Sequence, residues 1–144
     1  IMIPDGVFTI PGTSFMGCEK LKEITIPKTV SSIGDYAFSQ CTSLKSITIP
    51  DSVTSIGINA FFNCNSLSEI IIGRGISTIK DYTFSNCGCN AKVFIPDTVT
   101  VIEENAFSGI DRYTYEICID KEKDSIKGAP WGAENTTIKW RGEF

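Results

Sequence analysis

Residues 41–61 read CTSLKSITIPDSVTSIGINAF. The stretch ends on Ala60-Phe61, and the residues just before it end the same way, on Ala37-Phe38. Laid out from its phenylalanines, most of the chain repeats. Phe15, Phe38, Phe61, Phe84 and Phe107 stand 23 residues apart. Three residues after the first four come Cys18, Cys41, Cys64 and Cys87, and three further on Leu21, Leu44, Leu67 and then Asn90. Ile24-x-Ile26, Ile47-x-Ile49, Ile70-x-Ile72 and Val93-x-Ile95 follow, closed by Pro27, Pro50, Gly73 and Pro96. Val30, Val53, Ile76 and Val99 come next, then Ile33, Ile56, Ile79 and Ile102. Ala37, Ala60, Thr83 and Ala106 precede each new Phe. A fixed period in the twenties is the sequence signature of a solenoid.

Each part of the repeat has a physical reading. Ile-x-Ile is strand alternation, so both isoleucines face the same way. Pro closes the strand, because it has no N–H for a ladder and biases the preceding residue toward extended backbone. Val…Ile-Gly predicts a second extended stretch on the opposite wall. Ala-Phe-x-x-Cys predicts the return, with Phe filling the middle of the coil. One repeat buries too little apolar surface to offset the entropy of ordering its residues, so it must stack on neighbours. Successive strands then lie about 4.8 Å apart in a parallel sheet.

With that pattern laid out, the chain resembles the BspA-type leucine-rich repeats, also called the Treponema pallidum type. Their pattern is C-x-x-L-x-x-I-x-I-P-x-x-V-x-x-I-G-x-x-A-F, and residues 41–61 match it throughout. The resemblance covers about residues 1–119 and departs at Asn90 for Leu, Gly73 for Pro and Glu103 for Gly. It implies a leucine-rich repeat solenoid, a right-handed coil of about five 23-residue repeats. Such a coil has a parallel β-sheet on its concave face and little helix. It also implies a cell-surface or secreted protein of host-associated anaerobic bacteria or some protozoan parasites. Adhesion to cells or to host matrix proteins such as fibronectin or fibrinogen follows from the same likeness, as does the absence of catalytic activity.

The two ends differ. IMIPDGVFTIPGTSF aligns with ITIPKTVSSIGDYAF, so the chain starts in mid-repeat and reads as a fragment of a longer protein with no leader or membrane-spanning run of its own. After Phe107 the pattern slips: Ile110 replaces Cys, Tyr113 replaces Leu, and Ile117-x-Ile119 comes one residue late. Then DKEKDS breaks the period with charge, and GAPWGAENTTIKW follows with two tryptophans, Trp131 and Trp140. The expected organisation is therefore repeats over 1–119 and a capping segment over 120–144, since a terminal repeat needs a polar outer face.

Composition narrows function. With 13 basic and 17 acidic residues the net charge is −4, which argues against a nucleic-acid partner. The chain has no His, the commonest general base and metal ligand. It carries no nucleophile elbow, P-loop, HExxH or dinucleotide fingerprint. No cofactor or metal is expected. Cys18, Cys41, Cys64 and Cys87 hold one repeat position, so they are read as an inward ladder of small apolar thiols rather than disulfides. Cys89 and Cys118 lie off it, free or paired. Gly73-Arg74-Gly75 reads as a turn replacing the Pro corner, and Lys121-Glu122-Lys123-Asp124 as a solvated turn.

Surfaces remain. Between the inward residues, one concave column runs Glu23, Ser46, Glu69, Lys92 and the next Thr25, Thr48, Ile71, Phe94. A side column runs Lys22, Lys45, Ser68, Ala91. Apolar Ile71 and Phe94 replace threonines on a face turned to water. An apolar centre with polar neighbours marks a contact site; cover by the C-terminal segment or a register shift is the other reading. The candidate site is Glu69, Ile71, Lys92 and Phe94, flanked by Glu23, Thr25 and Thr48. The expected function is that of a monomeric, protein-binding module. The alternative is a spacer that projects another domain from the cell surface.

Overall fold

A computed structural model describes residues 1–109, 113–133 and 135–144. Its strands are short: β1 (Thr9–Ile10), β2 (Ser32–Ile33), β3 (Ser46–Thr48), β4 (Ser55–Ile56), β5 (Glu69–Ile71), β6 (Thr78–Ile79), β7 (Ala91–Ile95), β8 (Val101–Ile102), β9 (Tyr115–Ile119) and β10 (Thr137–Trp140). No helix is present among the described residues. The chain coils so that Ile-x-Ile strands stack on one wall and Val…Ile stretches on the other, as the repeat predicts. The Ile110 replacement of the ladder cysteine lies outside the described residues.

The concave wall is one five-stranded parallel sheet in the order β10-β9-β7-β5-β3. Its register is the repeat itself: Ser46 pairs Glu69, which pairs Lys92, and Thr48 pairs Ile71, which pairs Phe94. The one-residue delay read at Ile117 is real, because Val93 pairs Ile117 and Phe94 pairs Cys118. The first two turns depart from the expected ladder. Residues 24–26 form no named strand and join residues 1–3 through one bridge, Met2 with Thr25.

The opposite wall is split into β1-β2-β4 and β6-β8. Where β1, β2 and β4 pair, glycine lets successive coils approach closely. Gly34 and Gly57 press on the coil before: a Cβ on Gly34 would lie 2.4 Å from the Gly12 nitrogen, and one on Gly57 2.3 Å from the Asp35 nitrogen. The same slot in the next coil holds Lys80. The ladder opens between β4 and β6 at that coil. Glu103 fills the slot one coil later, and its carboxylate accepts from the Asp81 amide at 2.6 Å.

Inside, the five periodic phenylalanines form a continuous stack. Ring centroids are 5.0, 5.1, 5.3 and 5.7 Å apart from Phe15 to Phe107, with planes within 13° of parallel. This is offset-stacked aromatic packing. Tyr115 closes the row edge-on to Phe107 at 5.5 Å. Its hydroxyl donates to the Phe84 carbonyl at 2.7 Å and accepts from the Cys87 amide at 3.1 Å. That side chain also explains the loss of the fourth leucine. Asn90 is exposed with left-handed backbone (φ 58°), while Ala91 is fully buried opposite Tyr115. Ala91 is therefore an inward residue, not the outward member of the side column that its spacing suggested.

The cysteine ladder holds for Cys41, Cys64 and Cys87, which are buried. Cys18, the first position of the ladder, is exposed. Each of these three ladder thiols donates to a phenylalanine carbonyl: Cys41 to Phe15 and Cys64 to Phe38 at 3.2 Å, Cys87 to Phe61 at 3.4 Å. Burial pushes the Cys41 thiol up to about 11 and raises Cys64 and Cys87 too. The folded chain thus keeps protons that unfolded thiols release near pH ~8.5. The stability contributed is complete below that pH and is lost as pH rises through the folded values. At pH 8 a thiol reagent should label Cys18 and Cys89 promptly, and Cys41, Cys64 and Cys87 only after denaturant is added. Prompt labelling of the three core thiols in the folded chain would show that the ladder is not a sealed interior.

Beyond residue 119 the chain returns to the sheet. β10 pairs β9 in parallel, from Thr137 with Glu116 to Trp140 with Ile119. Trp131 is 1% exposed, its carbonyl accepts from the Phe107 amide at 3.1 Å, and its indole donates to Lys127 at 2.8 Å. Ile126, Ala133 and Trp140 join the same core. Arg141 reaches back along one rim, 2.8 Å from Asp120 and 3.8 Å from Asp97. Asp97 is also 2.6 Å from Arg74, whose amide donates to Asp51 at 2.8 Å. In this chain of contacts acid and base alternate from Asp51 through Arg74, Asp97 and Arg141 to Asp120; its side chains are at least a third exposed, and each pair contributes little by itself.

Candidate functional site: the concave sheet

Alternation within β3, β5 and β7 decides which side chains face out. Ile47, Ile70 and Val93 point into the core. Their neighbours on the strands form the two outward columns expected from sequence. Glu23, Thr25, Thr48, Glu69 and Lys92 are exposed. Ile71 is 37% exposed, and Phe94 is half-buried. The structure thus brings Glu69, Ile71, Lys92 and Phe94 together on adjacent strands in register. A register shift does not remove either apolar side chain from this face. Thr25 and Glu23 lie on the turn that has left the sheet, so they border the site rather than continue its ladder.

Where that turn leaves the sheet, a groove of about 710 Å³ opens. Ile24, Thr25, Ile26, Ser46, Thr48 and Ile71 are among the residues that line it. Ile71 therefore sits at a junction, with Phe94 on one side and the groove on the other. A smaller hollow of about 230 Å³ lies between Phe94, Pro96, Cys118 and Phe144. Phe144 is 55% exposed, so the apolar character of the face continues past Phe94 to the end of the chain.

The charges at this end form a cluster that the column reading did not find. The Lys92 ammonium lies 5.3 Å from the centre of the Phe94 ring, within cation–π range. It is also 3.3 Å from Glu116, which is 3.2 Å from Lys139 on the next strand. Lys139 and then Lys92 hold the Glu116 carboxyl below its ordinary value. Two ammonium groups share the Glu116 carboxylate, and Glu69 is the in-register neighbour of Lys92 on the adjoining strand. The signal was legible only in part: Lys92 is in the repeat, but Glu116 and Lys139 come from the slipped strand and from β10.

Among the described residues no group of three Cys, Asp or Glu side chains could hold a metal ion. No helix among them is long and apolar enough to cross a membrane. The chemistry on offer here is that of a contact surface: apolar centre, cation, acid and hydroxyls on a rigid backbone.

The family described as BspA type leucine rich repeat region matches residues 1–115 in six copies. Among solved structures, the T. pallidum leucine rich repeat protein is similar at 32% identity with a TM-score of 0.74, over 82% of this chain and 57% of that one. A leucine rich cell surface protein from Faecalibacterium prausnitzii is similar at 21% identity with a TM-score of 0.52, over 98% of this chain and 59% of that one. The second likeness is one of fold. The chain thus spans less than two thirds of the length of either. No curated protein matches it.

Proposed function

Because the chain belongs to the BspA-type leucine-rich repeat family, we propose that it is a non-enzymatic protein-binding module of a bacterial protein that is secreted or held at the cell surface. Residues 1–119 supply the repeats, and 120–144 cover their last coil. The concave sheet docks the partner. The observation that carries this reading is Ile71 beside Phe94 on adjacent outward positions of one rigid sheet. Earlier coils put Thr25 and Thr48 there, so the coil does not need an apolar side chain in that column. An apolar, aromatic centre rimmed by charge is how protein contact sites are built. A spacer needs only small polar residues on this face, which is why binding is preferred over projection of another domain. Surface location is supported by the family resemblance and by the name of the F. prausnitzii protein.

The family resemblance directs the choice of probes: fibronectin, fibrinogen and whole cells. The test compares the native chain with Ile71→Thr/Phe94→Thr, which restores the column to its earlier composition. Burying Phe94 and Ile71 in a partner contributes about 1.5–3 kcal/mol each. Loss of one such contribution weakens binding roughly ten- to a hundredfold. If the native chain binds a probe and the folded variant binds it equally well, the concave patch is not the site.

A further inference from the structure

A second row of side chains, exposed or half-buried, runs along the corner where each outer strand turns into the phenylalanine stack. One slot of that corner holds Tyr36, Asn59, Tyr82 and Asn105 in successive coils. Tyr36, Asn59 and Tyr82 have left-handed backbone, with φ of 56°, 54° and 56°. Asparagine enters that region readily. A bulky aromatic enters it at a conformational cost, and such outliers gather at functional sites. The core does not require the rings. Tyr36 is 38% and Tyr82 41% exposed, and Asn59 makes the same turn between them.

The row is rigid. The Tyr36 amide donates to the Ile58 carbonyl at 3.1 Å, Asn59 to Asp81 at 3.4 Å, and Tyr82 to Asn105 at 3.2 Å. A carboxylate precedes each tyrosine in sequence, Asp35 and Asp81. Their Oδ1 atoms accept from the Ile58 and Asn105 amides at 2.9 and 3.1 Å. The surface therefore alternates aromatic, amide, aromatic, amide along one line, with an acid beside each ring. Two coils separate the tyrosines by about 10 Å. The phenylalanines of the same coils step by 5.1 and 5.3 Å.

We propose that the Tyr36–Asn59–Tyr82–Asn105 row binds an extended β-1,4-linked polysaccharide. Such a chain turns over at each sugar, so the same pyranose face returns at every second residue, a repeat close to the two-coil step. Aromatic faces suit the apolar C–H face of a pyranose, while Asn59 and the flanking carboxylates offer donors and acceptors to ring hydroxyls between. An extended polypeptide fits this row less well. It would dock by pairing with free backbone groups, and the tyrosine and Asn59 amides here are already bonded between coils.

The test uses the full chain with cellohexaose and chitohexaose as probes and maltohexaose as the helical, α-linked control, read by calorimetry. The variant is Tyr36→Asn/Tyr82→Asn, which places at both positions the residue that already makes this turn at 59. It should fold at least as well as the native chain. The expected result is binding of at least one β-1,4-linked hexamer by the native chain and a loss of tenfold or more in the double variant. Absence of binding to both β-linked hexamers overturns the proposal. So does equal affinity for maltohexaose, and so does undiminished binding by the folded variant.

Discussion

Phe61→Ala is expected to cost about 3–5 kcal/mol of folding stability, the range for deleting a fully buried aromatic. Phe61 is 0% exposed and lies between Phe38 at 5.1 Å and Phe84 at 5.3 Å. The change leaves a hole at the centre of an interior coil, and the coils on both sides lose a stacking partner. In a solenoid each coil is held by its neighbours, so the middle of the array is where such a loss uncouples the two halves. A loss of that size is a large fraction of the stability of an ordinary domain. Phe15→Ala supplies the comparison, because Phe15 is only partly buried and has one stacked neighbour, Phe38. It should cost clearly less. Chemical denaturation of both variants measures the difference. If Phe61→Ala melts within a few degrees of the native chain, or if Phe15→Ala costs as much, the stack is not what holds the coils together.

Much of this was legible because one period governs both sequence and structure. Phe38, Phe61 and Phe84 occupy one slot by count and one stack in space. The column Thr48, Ile71, Phe94 was likewise both a sequence register and a pairing register. What stayed hidden are places where one coil answers a change in another. Ala91 turned inward because Tyr115, from the next coil, reaches back to Phe84 and fills the space a leucine would take. Nothing within residues 87–95 announces that. The Glu116 cluster has the same character, since it joins a repeat residue, a residue of the slipped strand and Lys139 of β10. The return of β10 to the sheet followed a long aperiodic stretch, so no spacing predicted its partner.

Gly57→Ala should cost about 2–4 kcal/mol, although the side chain added is a single methyl group. The backbone at Gly57 is not left-handed, so alanine meets no conformational objection there. The obstacle is distance. The new Cβ would lie 2.3 Å from the Asp35 nitrogen, 2.3 Å from its Oδ1 and 2.6 Å from its Cα. Two of these three atoms are backbone and cannot swing away. Overpacking of this kind costs roughly 1–3 kcal/mol. Relief by separation of the coils would strain two hydrogen bonds at the corner, Gly57 amide to Ile33 carbonyl at 2.9 Å and Ile58 amide to Asp35 Oδ1 at 2.9 Å, each worth about 1 kcal/mol. The chain holds its own control in Lys80, which occupies the same slot where the outer ladder is already open. Lys80→Ala adds no Cβ and should change stability by no more than about 0.5 kcal/mol, as for most surface substitutions. Denaturation midpoints of the two variants separate the explanations. A Gly57→Ala variant as stable as the native chain would mean that the coils have slack at this corner.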